Sequence, residues 1–407
     1  MARMKFRSPS LTRRYGTVAA AIVEMLLCVL CQAQVPSSRP QAPSSSPAQP
    51  ESATASSVQQ AEVTQAENEL RQGTALTRQG LFSEAIPHLL AARGRVANEY
   101  AAGFNLALCY VGSGDSKSAI PILDNLRHQG HENADVENLL AQAYIGNDQP
   151  KEALASLEKA AAISPQNEKL YLYVADACTE HQDYALALKV VAIGLRNLPQ
   201  SPGLHYERGM VLSHLDEFDR AKADFELVSK LAPGSEIGYV SAAQKALFDG
   251  DVSAAVQVAR EGVSKGFQGP ILLTILGEAL LRSGASPGQP EFAEAQAALE
   301  KAAAERPNDP STQIALGRLY LIGGRLTDAI AHLEKARQMQ PDRPVVYANL
   351  AKAYQRHGDE QAAQQALATL EKLNLARAEQ IRNAPGDSKM SYGGGETQSA
   401  PNENPKH

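Results

Sequence analysis

Ala85, Ala119, Ala153, Ala187, Ala221, Ala255, Ala295, Ala329 and Ala363 stand in one phase along the chain. The first six are 34 residues apart, and the phase resumes after a single six-residue shift. A fixed period of this length means one supersecondary unit copied in a line, each copy able to bury its apolar face only against its neighbours. A second register agrees: Gly73, Ala107, Ala141, Ala175, Gly209, Ala243, Gly277, Gly317 and Ala351 are never larger than a methyl group. Two helices must approach most closely there. A third register, Pro165, Pro199, Pro233, Pro307 and Pro341, closes five of the units, since a ring without an N–H cannot continue a helix. The absence of Trp and an aromatic content of 5% suit closely packed helices better than a sheet. The fold class expected is all-α.

The stretch from Pro310 to Arg343 shows the unit in full. Numbered from Pro310, it places Leu316 at position 7, Gly317 at 8, Tyr320 at 11, Gly324 at 15, Ala329 at 20, Leu333 at 24, Ala336 at 27 and Pro341 at 32. Positions 7, 8 and 11 make one helical stripe and 20, 24 and 27 another, with Gly324 ending the first helix. Position 4 joins the first stripe as Tyr171, Tyr239, Leu273 and Tyr347, although Gln313 stands there in this copy. With small residues at 8, 20 and 27 and Pro at 32, the unit resembles a tetratricopeptide (TPR) repeat. The resemblance covers about Glu62 to Asn383 and implies a right-handed solenoid of about nine helix pairs with a concave groove.

Departures are expected to mark joints. The unit starting near Glu236 ends in a run with Gly262, Gly266 and Gly269, which predicts a loosened second helix. The next carries six extra residues around Gly284 to Pro290 in its inter-helix turn. Past Leu370 the sequence stays helical in pattern but more polar, as for a capping helix over the last apolar face.

Outside the repeats, Arg3, Lys5, Arg7, Arg13 and Arg14 precede the apolar run Val18 to Leu30 and the small residues around Ala33, the plan of a signal peptide over residues 1–33. The run is short for a membrane span. The expected location is therefore exported, periplasmic or secreted, with an uncleaved inner-membrane anchor as the alternative. A Pro/Ser/Gln/Ala-rich stretch, residues 34–61, predicts a disordered linker, and residues 384–407 a disordered tail. The net charge is −6, and because residues 1–33 hold five basic residues and one acidic, the rest carries −10. So acidic a chain argues against nucleic acid as partner. No membrane span is expected in the processed chain.

Chemistry-bearing patterns are few. Gly284-Ala285-Ser286-Pro287-Gly288 spells the G-x-S-x-G nucleophile elbow, but that motif needs a strand before the Ser and a helix after it. His128, His131, Glu132 and Asp135 cluster at an inter-unit turn without a further ligand at a metal-motif spacing. No phosphate loop is present, and no cofactor is expected. Cys109 and Cys178 fall at positions 10 and 11 of units two steps apart, which predicts two separate buried thiols.

What remains is surface. In the repeats this chain resembles, positions 2, 5, 9, 12 and 13 of the first helix face the groove. They include Asp176, Glu180, Tyr206, Phe248, Arg282, Arg318, Lys352 and Arg356, an acidic middle and a basic C-terminal third with two aromatic rings between. The family's clamp for a C-terminal carboxylate uses Lys and Asn where this chain has Leu70 and Thr74, so that function is not carried over. The reading is a non-enzymatic protein-interaction scaffold of the bacterial cell envelope, its groove receiving an extended or helical, acidic protein segment. A loop-sited hydrolase or metal-dependent enzyme and a homo-oligomeric structural scaffold are the alternatives.

Overall fold

The computed structural model describes residues 50–383. Eighteen α-helices and no strand make up these residues, in nine successive pairs. The pairs are α1 (Pro50–Arg78) with α2 (Phe82–Ala92), α3 (Glu99–Ser113) with α4 (Ser116–His128), α5 (Ala134–Gly146) with α6 (Pro150–Ile163), and α7 (Glu168–Glu180) with α8 (Tyr184–Asn197). There follow α9 (Pro202–His214) with α10 (Phe218–Leu231), α11 (Glu236–Phe248) with α12 (Val252–Ser264), α13 (Pro270–Arg282) with α14 (Pro290–Glu305), α15 (Pro310–Ile322) with α16 (Leu326–Met339), and α17 (Pro344–His357) with α18 (Glu360–Asn383). Each helix packs on those before and after it, and first helices of adjoining units also touch. This is the all-α solenoid of nine helix pairs that the period and the resemblance predict.

Local chemistry sets the unit boundaries. Asp115, Asp183, Asp251 and Asp359 at position 16 accept the backbone N–H groups of Ser118, Leu186, Ala254 and Ala362, capping the second helices. Asn133, Ser201, Ser235 and Asp309 at position 34 cap the first helices of the next units in the same way. Such caps are each worth roughly 1 kcal/mol. Helices α6, α8, α10, α14 and α16 stop two residues before the position-32 prolines, because proline drives its predecessor out of the helical region.

The carbonyl freed at that stop explains position 4. Tyr171 and Tyr347 donate their hydroxyls to the carbonyls of Pro165 and Pro341, at 3.0 and 2.7 Å. Gln313 Nε2 donates to Pro307 O at 2.9 Å, and His205 Nε2 lies 3.0 Å from Pro199 O. Gln313 is therefore no lapse in the pattern but another way of making the same bond. Where position 4 is polar, position 23 answers it across the pair: Glu69 with His88 (2.6 Å), His205 with Asp224 (3.2 Å) and Gln313 with His332 (2.6 Å). Glu137 is different. It is fully buried, neither carboxylate oxygen is hydrogen-bonded, and Arg127 and Lys159 each stand 3.6 Å from Oε1.

Three sequence expectations change. Helix α1 begins at Pro50, inside the stretch expected to be linker to residue 61. Proline fits the first turn of a helix, and extending a helix already nucleated costs far less than starting one. The remainder of the linker, the tail at 384–407 and the leader lie outside the described residues. The polar stretch past Leu370 is no separate cap: without Gly or Pro between Glu360 and Asn383, α18 runs on for 24 residues and leaves Leu367 and Leu375 more than half exposed. Nor is the Glu236 unit loosened. Gly262 is buried where an added Cβ would stand 3.0 Å from Leu272 and 3.1 Å from Tyr239, and Gly269 N–H donates to Glu236 Oε1 at 2.6 Å, so these glycines permit close approach.

Candidate partner-binding groove

The basic C-terminal third rests on α13, α15 and α17. Arg282 lies 2.5 Å from Glu278 Oε1, and Arg318 reaches the same oxygen from the next unit at 3.8 Å. One carboxylate thus holds two guanidinium groups side by side without neutralising both. Arg356 Nη1 donates to Leu321 O at 2.6 Å, a carbonyl at the end of α15 that also accepts a long bond from Gly324 N–H at 3.4 Å. Lys352 is exposed. On the same helices Ile271 and Val345 at position 2 and Ile322 at position 13 are 38%, 41% and 38% exposed.

The two aromatic residues expected beside this charge are engaged elsewhere. Phe248 lies 5.8 Å from the Phe225 ring and 5.5 Å from Phe218, and Tyr206 lies 5.7 Å from Phe225. They pack around a small core of Leu212, Ala221 and Phe225. The apolar contact available on the basic third comes from aliphatic side chains that charge and aromatic patterning did not single out.

The acidic middle is partly covered by the chain itself. Asp176, Glu180, Tyr206 and Glu207 are half-buried. Withdrawal from water raises the pKa of Asp176, with Arg306 of the turn after α14 opposing. Burial, then the Asp176 charge, raises that of Glu207. The Tyr206 hydroxyl is raised by burial first, and it also feels Glu207, Asp309 and Arg306. The charges of the turn that joins units seven and eight are thus felt at the first helices of units four and five.

Beside it the contacts are direct. Gln182 Nε2 donates to Asp342 Oδ1 at 3.1 Å, Arg343 Nη1 lies 3.2 Å from His214 Nδ1, and Arg377 is ion-paired with Asp216. His214 stacks on Tyr184 with ring centroids 4.8 Å apart. Burial, helped by the Arg343 charge, lowers the His214 pKa to about 4 and keeps the ring neutral. Neither Glu207 nor this set of cross-contacts followed from the repeat register. One signal for them is in the sequence: units three to five alone lack Gly at position 15.

The other sequence candidates are placed simply. Ser286 lies in a turn between α13 and α14, its backbone N–H donating to Gln289, so no strand leads into an elbow. His128 Nδ1 bonds its own helix at Asp124 O, and His131 packs on Tyr100. Among the described residues no group of three or more His, Cys, Asp or Glu is placed to hold a metal ion. Cys109 and Cys178 are free, buried thiols; burial pushes Cys109 up to about 12, with Thr77 Oγ1 3.1 Å from its sulfur.

Comparison with known proteins agrees with this architecture. Three profiles described as Tetratricopeptide repeat match the chain, one at residues 76–143 and 321–382, one at 138–202 and 288–344, and one at 202–235. No curated protein matches. Similar solved structures include a tetratricopeptide repeat protein from Parabacteroides merdae (20% identity, TM-score 0.44, 62% of this chain and 98% of that one). Another is YrrB, described as a TPR protein with an unusual peptide-binding site (15%, 0.30, 47% and 98%). A third is the human IFIT1 dimer with PPP-AAAA (17%, 0.46, 69% and 72%).

Proposed function

Because this chain belongs to the tetratricopeptide repeat family, whose repeats generally mediate protein–protein interaction, we propose that it is a non-enzymatic scaffold that binds a protein segment along the first helices of units seven to nine. The observation carrying this reading is the pairing of charge with apolar surface there: Arg282, Arg318 and Lys352 share the first helices of three successive units with exposed Ile271, Ile322 and Val345. Such a face suits a segment of alternating acidic and aliphatic residues, extended or helical, with charge steering its approach. Each exposed ion pair adds little by itself, ~0.3–0.5 kcal/mol, so affinity rests on apolar contact and on the cations acting together.

The basic plan of residues 1–33 supports export, with the scaffold acting in the periplasm or outside the cell; an inner-membrane anchor is the alternative. Among the described residues no helix is long and apolar enough to cross a membrane. Intact mass of the purified protein distinguishes cleavage after Ala33 from retention of the leader.

The test of binding is reversal of Arg282, Arg318 and Lys352 to Glu, sparing Arg356 because its guanidinium caps α15. Partners cross-linked to the wild-type protein in envelope fractions should be lost from the variant, and their binding should weaken with added salt. Unchanged binding by a folded variant rules out this face.

A further inference from the structure

Position 15 of the unit lies in the left-handed region in every copy. Six units place glycine there, Gly80, Gly114, Gly250, Gly284, Gly324 and Gly358, with φ between 73° and 95°. Units three, four and five carry Asp148, Gln182 and Asp216 instead, at φ 57°, 61° and 62°. A side chain in this conformation crowds the following carbonyl; glutamine has no ready local compensation, and glycine would remove the strain. Retention of a strained residue calls for a use of its side chain.

For two of the three, the structure supplies the use. Gln182 bonds Asp342, 160 positions along the chain, and Asp216 pairs with Arg377, 161 positions along. Between them Arg343 bonds His214. The intra-unit turns of units four and five thus meet the turn between units eight and nine and the C-terminal extension of α18. That extension is the polar stretch past Leu370 that continues α18 to Asn383. Asp148, one unit earlier, has no such distant partner among the described residues.

We infer that these contacts form a clasp that closes the solenoid on itself, holding the turns of units four and five against the turn between units eight and nine and the C-terminal extension of α18. Every link is polar and two are at least partly exposed: Gln182 and Asp342 are both exposed, and Arg377 and Asp216 are 43% and 20% exposed. Links of this kind are individually weak, so the closed form can be opened by a competing partner without unfolding any unit. The clasp is distinct from the recognition face proposed for units seven to nine and does not depend on it.

The test uses the full chain with Cys28 and Cys31 changed to Ser, so that only buried Cys109 and Cys178 remain as native thiols. Spin labels are placed through Arg220→Cys and Lys372→Cys, two exposed sites beside the contact that take no part in it. The clasp predicts one short inter-label distance, which the double variant Gln182→Gly, Asp216→Gly replaces with a longer, broad distribution. Helicity and melting should not fall in that variant, because glycine relieves the backbone at both positions. A separate variant, Arg343→Ala with Arg377→Ala, should open the chain in the same way from the other side.

Absence of the short distance in the otherwise unaltered chain overturns the clasp, as does its persistence in both variants.

Discussion

Glu137 sits at position 4 of unit three, where other units place Tyr171, Tyr239, Leu273 and Tyr347. Its side chain is fully buried, both carboxylate oxygens lack a hydrogen bond, and its two cationic neighbours stop at 3.6 Å. Arg127 is itself held by Asp124 at 2.7 Å, and Lys159 stands 3.6 Å from Glu132. Removing Glu137 would therefore leave each cation with a partner, whereas removing both cations would leave a buried, uncompensated carboxylate. The desolvation cost of a buried ion pair is large enough that an apolar residue of similar volume is often neutral or stabilising by ~1–4 kcal/mol, while stripping the partners costs ~3–5 kcal/mol. Glu137→Leu, the residue unit seven uses, should thus change stability by between 0 and about +2 kcal/mol, at the lower part of that range because Arg127 and Lys159 are partly exposed. Arg127→Met with Lys159→Met should lose about 3 kcal/mol. Solenoids can unfold in parts, so urea denaturation at pH 7 should be read together with amide hydrogen exchange along α5 and α6. The reasoning is refuted if Glu137→Leu destabilises α5 as much as the double methionine variant does.

Other consequences are as direct. Gly317→Ala should cost ~1–3 kcal/mol, since the new Cβ would stand 2.4 Å from Leu333 Cγ; chemical denaturation checks it, and an unchanged midpoint would contradict the close approach at position 8. Tyr347→Phe should cost about 1 kcal/mol by leaving Pro341 O without its donor, again read from the denaturation midpoint. For Asp176 and Glu207 the raised pKa values mean that the native state binds protons more readily than the unfolded one, so their share of stability falls as pH rises out of the ordinary carboxylate range. Asp176→Asn with Glu207→Gln should therefore raise the melting temperature at pH 7 and lose that gain in acid. His214 works the other way: with its pKa lowered to about 4, its contribution is full above about 6.5 and fades as pH falls toward 4, which His214→Gln should abolish in a pH series of melts. Cys109 and Cys178 should resist thiol reagents in the native protein and react on unfolding, counted by absorbance of the released chromophore.

Sequence period alone determined the class of fold, the pairing of helices and most of their ends, because each of these is decided within about 34 residues. A small residue at position 8 lies opposite the position-24 side chain of its own unit, an Asp at position 16 caps the helix that follows it, and a proline at 32 stops the helix before it. Even the polar residues at position 4 answer partners 19 positions away, as in Glu69 with His88 and Gln313 with His332. The site was legible only in register. The candidate groove positions could be numbered, but which of them are open could not, since that depends on how small rotations between successive units accumulate. Those rotations carry the turns of units four and five onto residues about 130 to 160 positions later, engaging Arg343 and Arg377 with His214 and Asp216. They leave Ile271, Ile322 and Val345 exposed, while local packing takes Tyr206 and Phe248 onto the Phe225 ring. The absence of glycine at Gln182 and Asp216 was written in the chain, but its partners were fixed by tertiary structure, because contacts between distant units follow from the sum of many joints and not from any one of them.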